Sequence, residues 1–320
     1  MDFWKSVLLS CITGLTFAEK VYQPTECPGL YCGKKELGPG EYSGCGACPR
    51  GYQPEYNSIC SECTSNPTLY DWLYLGFMAL LSLLLHFFFI DYTNQNKKSL
   101  VVLHLSALLE SVIAAFLTVL LTDPLGSLMI RSCPVSRLED WYSMLYNPSP
   151  NYTTTFHCTQ EIVYPLYTIV MVYYAFSLLF LMCLRPMISL RFVECLGTRS
   201  IYAALYFLPI LIVIQAVFGG LLYYSFPYIM IIASLVTSAI HMAQGIQQGF
   251  TDLLAENFKN MRNLTILIGH WILHCYGIIS LTELKQPDLH VPLLLLVFFP
   301  VIFYVVTTKF THPDNLDKTE

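Results

Sequence analysis

Polar and apolar positions fall in long blocks along this chain, not in the short periods of soluble strands and helices. Apolar runs occur at about 72–90, 100–121, 162–184, 201–222, 226–243, 264–281 and 291–308. Each is close to the ~20 residues that cross a hydrocarbon core of ~30 Å, so each predicts a transmembrane helix. The division of 201–243 rests on Gly219-Gly220 and Ser225-Phe226-Pro227, the turn chemistry inside a run of nearly two span lengths, and it predicts a tight hairpin. Trp72, Tyr74, Tyr164, Tyr202, Tyr223, Tyr224 and Tyr228 suit the headgroup level, where a ring buries its face and keeps its polar tip wet. Pro209 and Pro300 predict kinks, because each removes a backbone donor and crowds the preceding turn.

Residues 1–18 have the pattern of a secretory signal: Lys5, an apolar stretch from Val7 to Phe17, and small residues Thr16 and Ala18 at the cleavage point. That stretch is too short to span a bilayer. Segment 19–69 then enters an oxidising lumen or exterior, carrying Cys27, Cys32, Cys45, Cys48, Cys60 and Cys63 among Gly, Pro and Tyr. It is too small and polar to close around a core, so disulfides must hold it, with connectivity open. Cys45-x-x-Cys48 and Cys60-x-x-Cys63 also match zinc-ribbon spacing, a reading the compartment argues against. Gly44 to Tyr52 looks like the cysteine-rich modules of cell-surface receptors, which leaves two roles open, ligand contact or a stapled cap.

Composition strengthens the membrane reading and narrows the partners. The 320 residues are 55% apolar and 12% charged, with a mean hydropathy of +0.52, about half the charge content of a soluble domain. The net charge is −5 and the 17 Lys and Arg form no basic run, which argues against a nucleic-acid surface. With the mature amino end in the lumen, Lys97, Lys98, Arg185, Arg191, Arg199, Lys259, Arg262, Lys309 and Lys318 face the cytosol. Beyond the first span only Arg131, Arg137 and Lys285 face the other way, in line with the positive-inside rule. The expected organisation is a signal at 1–18, a lumenal cysteine-rich segment at 19–69, a helical domain at 70–309 with lumenal loop 122–161, and a cytosolic tail at 310–320. In that loop Asn151-Tyr152-Thr153 is a glycosylation sequon, and Cys133 can pair with Cys158.

Glu110 is the carboxylate well inside a span, where an ionised acid is costly unless paired, protonated or wet. Ala107, Ser111 and Ala115 form a small-residue stripe beside it, which fits close helix packing; a proton or ion relay is the alternative. His86, His104, His241, His270 and His274 lie in or at the ends of spans. His86, His270 and His274, with Ser82 and an acid from Glu110 or Asp91, resemble in part the seven-span zinc hydrolases of the ceramidase and progestin-receptor group. On that reading the three histidines would ligate metal; on the other they are interhelical hydrogen-bonding groups. A receptor reading lacks Asp-Arg-Tyr after Cys183-Leu184-Arg185-Pro186 and Asn-Pro-x-x-Tyr near Phe299-Pro300. No phosphate loop, His-Glu-x-x-His or Gly-x-Ser-x-Gly is present, so soluble-type catalysis has no candidate residue, and no catalytic residue or cofactor is expected. In loop 244–263, Phe250, Leu253, Leu254 and Phe258 recur at helical spacing opposite Asp252, Glu256 and Lys259, an amphipathic face for lipid or a partner.

Longer runs are more specific: Cys27-Pro28-Gly29-Leu30-Tyr31-Cys32-Gly33-Lys34, Leu69 to Met78, Asp140 to Pro150, Ser200 to Phe207, Gly219 to Tyr224, and His270 to Ser280. From about Cys27 to Pro313 they resemble the Jun N-terminal kinase-associated membrane protein family. The resemblance implies a seven-span protein of the endoplasmic reticulum with a lumenal amino end, active in the unfolded-protein response and in degradation of misfolded proteins. It further implies a non-enzymatic adaptor that recruits proteasomes and ubiquitin-ligase machinery and associates with a stress kinase. The expected fold class is an all-α polytopic membrane protein, with seven transmembrane helices and a small disulfide-rich lumenal N-terminal segment.

Overall fold

The computed structural model describes residues 26–93, 97–146, 158–192, 198–243 and 259–311. The expected leader, the sequon at Asn151, residues 244–258 of the amphipathic loop and residues 312–320 of the tail lie outside these. The chain divides into two compact units, Met1–Glu62 with Ser143–Gln160, and Cys63–Tyr142 with Glu161–Glu320.

The first unit contains two antiparallel ribbons, β1 (Glu36–Gly38) with β2 (Glu41–Tyr42) and β3 (Tyr52–Pro54) with β4 (Cys60–Glu62). Strands this short bury almost nothing, and sulfur takes the place of a hydrocarbon core. Cys27 pairs with Cys45, Cys48 with Cys60, and Cys32 with Cys158. Cys27, Cys32 and Cys158 are buried together. Gly33 is required at this crossing, since a Cβ there would lie 2.5 Å from Cys48 Sγ and 2.7 Å from Cys60 Sγ. The Gln160 side chain donates to the Tyr31 carbonyl at 2.5 Å, tying the second segment to the first.

The second unit holds α1 (Leu69–Thr93), α2 (Lys97–Leu120), α3 (Leu166–Phe192), α4 (Thr198–Ala243), α5 (Met261–Thr282), α6 (Pro287–Leu293) and α7 (Phe299–Thr311). Helix α1 opens with a capping box: Asp71 accepts from Thr68 N–H at 2.7 Å, and Thr68 Oγ1 accepts from Asp71 N–H at 3.2 Å. Helix α3 starts at Leu166, after Pro165, and Glu161 receives the free Thr168 N–H at 2.8 Å and the Thr168 hydroxyl at 2.6 Å. Cys63 bonds to Cys133. The pairing expected between Cys133 and Cys158 is therefore replaced by two others, because the chain brings each beside a cysteine of the amino-terminal segment.

Among the described residues six helical stretches are long and apolar enough to cross a membrane: α1 to α5, and Pro287–Tyr304, which runs through α6 into α7. The difference from the seven expected spans lies in 201–243, where the hairpin is replaced by one helix of 46 residues, Thr198–Ala243. The residues read as turn chemistry do other work. Gly219 and Gly220 make room for aromatic rings: a Cβ on Gly220 would lie 2.6 Å from Trp141 Cβ and 2.9 Å from Tyr142 Cε2. Pro227 has no N–H for the Tyr223 carbonyl four residues earlier, and Tyr70 Oη donates to that carbonyl at 2.6 Å. The first half of α4 packs on α1 and α3 through Phe207, which stacks on Phe89, and Ala216, whose carbonyl accepts from Tyr167 Oη at 3.0 Å. The second half packs on α5 and α7, with Met242, Leu267 and Val301 buried together. The run expected at 291–308 is also divided, into α6, a 3-10 turn at Leu294–Phe298 and α7, with Pro292 and Pro300 at the breaks.

Candidate functional site

Three helices of the second unit converge on a cluster of buried charge. Glu110 projects from α2, His86 from α1 and Arg185 from α3, and they are 1%, 2% and 0% exposed. Arg185 lies on the buried stripe of α3 that runs Ile169, Tyr173, Ser177, Leu181, Arg185 and Ser189, a helical spacing that continues unbroken past Pro186. The guanidinium is held from two sides. Nη2 donates to Glu110 Oε2 at 2.6 Å and Nε to Oε1 at 3.1 Å, a two-point ion pair. Nη2 also lies 3.3 Å from His86 Nδ1. Since guanidinium has no acceptor, Nδ1 accepts and the ring proton sits on Nε2. Ser106, one turn before Glu110, donates to Oε1 at 2.7 Å. Arg185 Nη1 has no partner among the described residues.

Further contacts join α1 to α3, α4 and α5 away from the ion pair. Ser82 and Tyr173 hydroxyls meet at 3.0 Å, and Tyr174 Oη donates to the Met78 carbonyl at 3.0 Å. Tyr74 Oη donates to Gln215 Oε1 at 2.8 Å, and Tyr223 Oη to Asp71 Oδ1 at 2.7 Å. Tyr276 of α5 donates to the Leu73 carbonyl. These contacts satisfy polar groups that lipid cannot, and they fix which helices are neighbours.

The other histidines are elsewhere. His270 Nδ1 lies 3.1 Å from Thr237 Oγ1, with the His241 ring 6.2 Å away, while His104 contacts Asp91 at 3.3 Å. His86 keeps company with Arg185 and Phe207, not with His270 and His274. Among the described residues no group of three His, Cys, Asp or Glu could hold a metal ion.

The comparisons with known proteins add the decisive observation. Residues 27–313 match the family model described as JNK1/MAPK8-associated membrane protein. The chain belongs to this family. It is 51% identical over 299 residues to the JNK1/MAPK8-associated membrane proteins of Mus musculus and Homo sapiens, covering 91% of this chain and 95% of each relative. It is 32% identical over 275 residues to the Caenorhabditis elegans homolog, covering 85% of this chain and 84% of that protein. No solved structure matches. In this member of the JNK1/MAPK8-associated membrane protein family, the sequence reading located Glu110 but put Arg185 in a cytosolic connection. The structure corrects that placement: Arg185 lies inside α3, where the Glu110 carboxylate substitutes for water. The missed signal was periodicity, because Arg185 and Ser189 continue the buried stripe that Pro186 seemed to end.

Proposed function

We propose that this chain is a non-enzymatic membrane adaptor of the endoplasmic reticulum. In this reading it holds a JNK1-type stress kinase, proteasomes and ubiquitin-ligase machinery at the membrane for degradation of misfolded proteins and the unfolded-protein response. The observation that carries it is the 51% identity, over 91% of this chain, to proteins named for association with JNK1/MAPK8. The ion pair supports a structural role for the intramembrane charge, since Glu110 and Arg185 are occupied by each other. The amino end faces the lumen and the carboxyl end the cytosol. What supports this orientation is the seven-span reading of the sequence, in which nine Lys and Arg of the connections and tail fall on the cytosolic side.

The test is affinity purification of the full chain from mild detergent, scored for JNK1 and proteasome subunits, beside a variant lacking 244–258. Retention by the full chain and loss in the deletion is the expected result. A chain that retains neither partner, or a deletion that retains both, overturns the adaptor reading or its epitope respectively. Protease added to sealed microsomes should clip the carboxyl end and spare the cysteine-rich segment; the reverse pattern rejects the orientation.

A further inference from the structure

The segment that follows α2 exposes four large apolar side chains. Leu121, Leu125, Leu128 and Met129 are 57%, 70%, 60% and 63% exposed. Among the polar side chains Thr122 and Ser127 are half-buried and Asp123 is exposed, and all three are engaged within the molecule. Asp123 accepts from Tyr164 Oη at 2.9 Å, Thr122 Oγ1 donates to the Thr118 carbonyl at 2.8 Å, and Ser127 Oγ donates to the Pro124 carbonyl at 2.9 Å. Backbone groups are also engaged: Gly126 N–H donates to the Leu120 carbonyl at 2.8 Å, and Arg131 N–H to the Asp123 carbonyl at 3.4 Å. Gly126, at φ +79°, permits the reversal that brings the loop back onto the end of its own helix. A loop that engages much of its own backbone and hydroxyl groups while its leucines face outward is suited to the boundary between water and hydrocarbon.

We propose that residues 121–129 lie in the membrane interface, with Leu125, Leu128 and Met129 immersed at the boundary between headgroups and acyl chains. Two features name lipid as the occupant. The exposed stripe of α2, through Leu105, Val112 and Phe116, runs directly into Leu121 and the loop, so the apolar surface is continuous with a lipid-facing one. The loop also cannot rise far from that level: it returns to Leu120 at Gly126, and Cys133 and Ser132 tie its far end to Cys63 and Ser65, just before α1. The loop is thus an interfacial anchor that sets the depth of the α1 and α2 ends.

The test uses the full chain in phosphatidylcholine nanodiscs, with a diazirine amino acid at Leu128 or, separately, Leu125. References carry it at Phe116 on the α2 stripe and at Arg137, an exposed charged side chain. Lipid adducts at 128 and 125 are expected within about twofold of those at Phe116 and roughly tenfold above those at Arg137. Adduct yields equal to those at Arg137, or cross-links to a second polypeptide in place of lipid, would overturn the proposal. Recovery of the Cys63–Cys133 bond in the digest verifies the fold of each variant, and the two positions keep the outcome decisive.

Discussion

At Arg185 a guanidinium has given up water for one carboxylate and one imidazole nitrogen, and at Glu110 a carboxylate has given it up for that guanidinium and a serine hydroxyl. Removing one member strands the other in a medium that cannot solvate it. Arg185→Leu is expected to cost ~3–5 kcal/mol, whereas Arg185→Met with Glu110→Leu should lie within ~1 kcal/mol of the parent or above it. Thermal unfolding of the detergent-solubilised chain measures both; a double variant as unstable as the single would show that shape, not charge, matters there. Glycines give a second contrast at this scale. A Cβ on Gly277 would sit 2.6 Å from Ile231 Cγ1 and 3.0 Å from the Pro227 carbonyl, while Gly269 has open space. Gly277→Ala should therefore cost ~1–3 kcal/mol and Gly269→Ala should add ~0.5–1 kcal/mol, read in the same assay.

Helix α4 stays continuous because another helix supplies what Pro227 removes. If the Tyr70 hydroxyl substitutes for the missing N–H, the two residues are energetically coupled. Tyr70→Phe should cost ~1–3 kcal/mol in the parent chain but clearly less beside Pro227→Ala, where residue 227 can donate to the Tyr223 carbonyl itself. A double-mutant cycle with no coupling would refute this account. The same residues show how far elements can be read from a sequence. Apolar length alone located α1, α2, α3 and α5 closely, since a span must be long and apolar wherever it lies. Gly219, Gly220 and Pro227 misled because their local chemistry is that of a turn, and only the long-range partners Trp141 and Tyr70 convert them into packing surface and a completed helix. Arg185 misled similarly, through the adjacent Pro186. Glu110 was legible as a site because burial of an acid is informative by itself; its partner, 75 residues away, was not.

For the molecule as a whole, disulfides carry much of the long-range order. Cys63–Cys133 closes 70 residues, and replacing both cysteines by serine should lower stability by roughly 4 kcal/mol on the chain-entropy account. The midpoint shift of the double serine variant against the parent measures it, and an unchanged midpoint would mean that hydrogen bonds such as Ser132 N–H to Ser65 hold the segment unaided. The bond between Cys32 and Cys158 spans 126 residues and lies within the smaller unit, whose two pieces are separated in sequence by α1 and α2. That arrangement imposes an order on biosynthesis. As the ribosome delivers the chain from its amino end, Cys32 emerges long before its mate and must wait, reduced or provisionally mispaired, until two helices have been made. A truncated fragment ending at residue 62 would never receive that mate, so the cysteine-rich head cannot be produced faithfully as an excised piece.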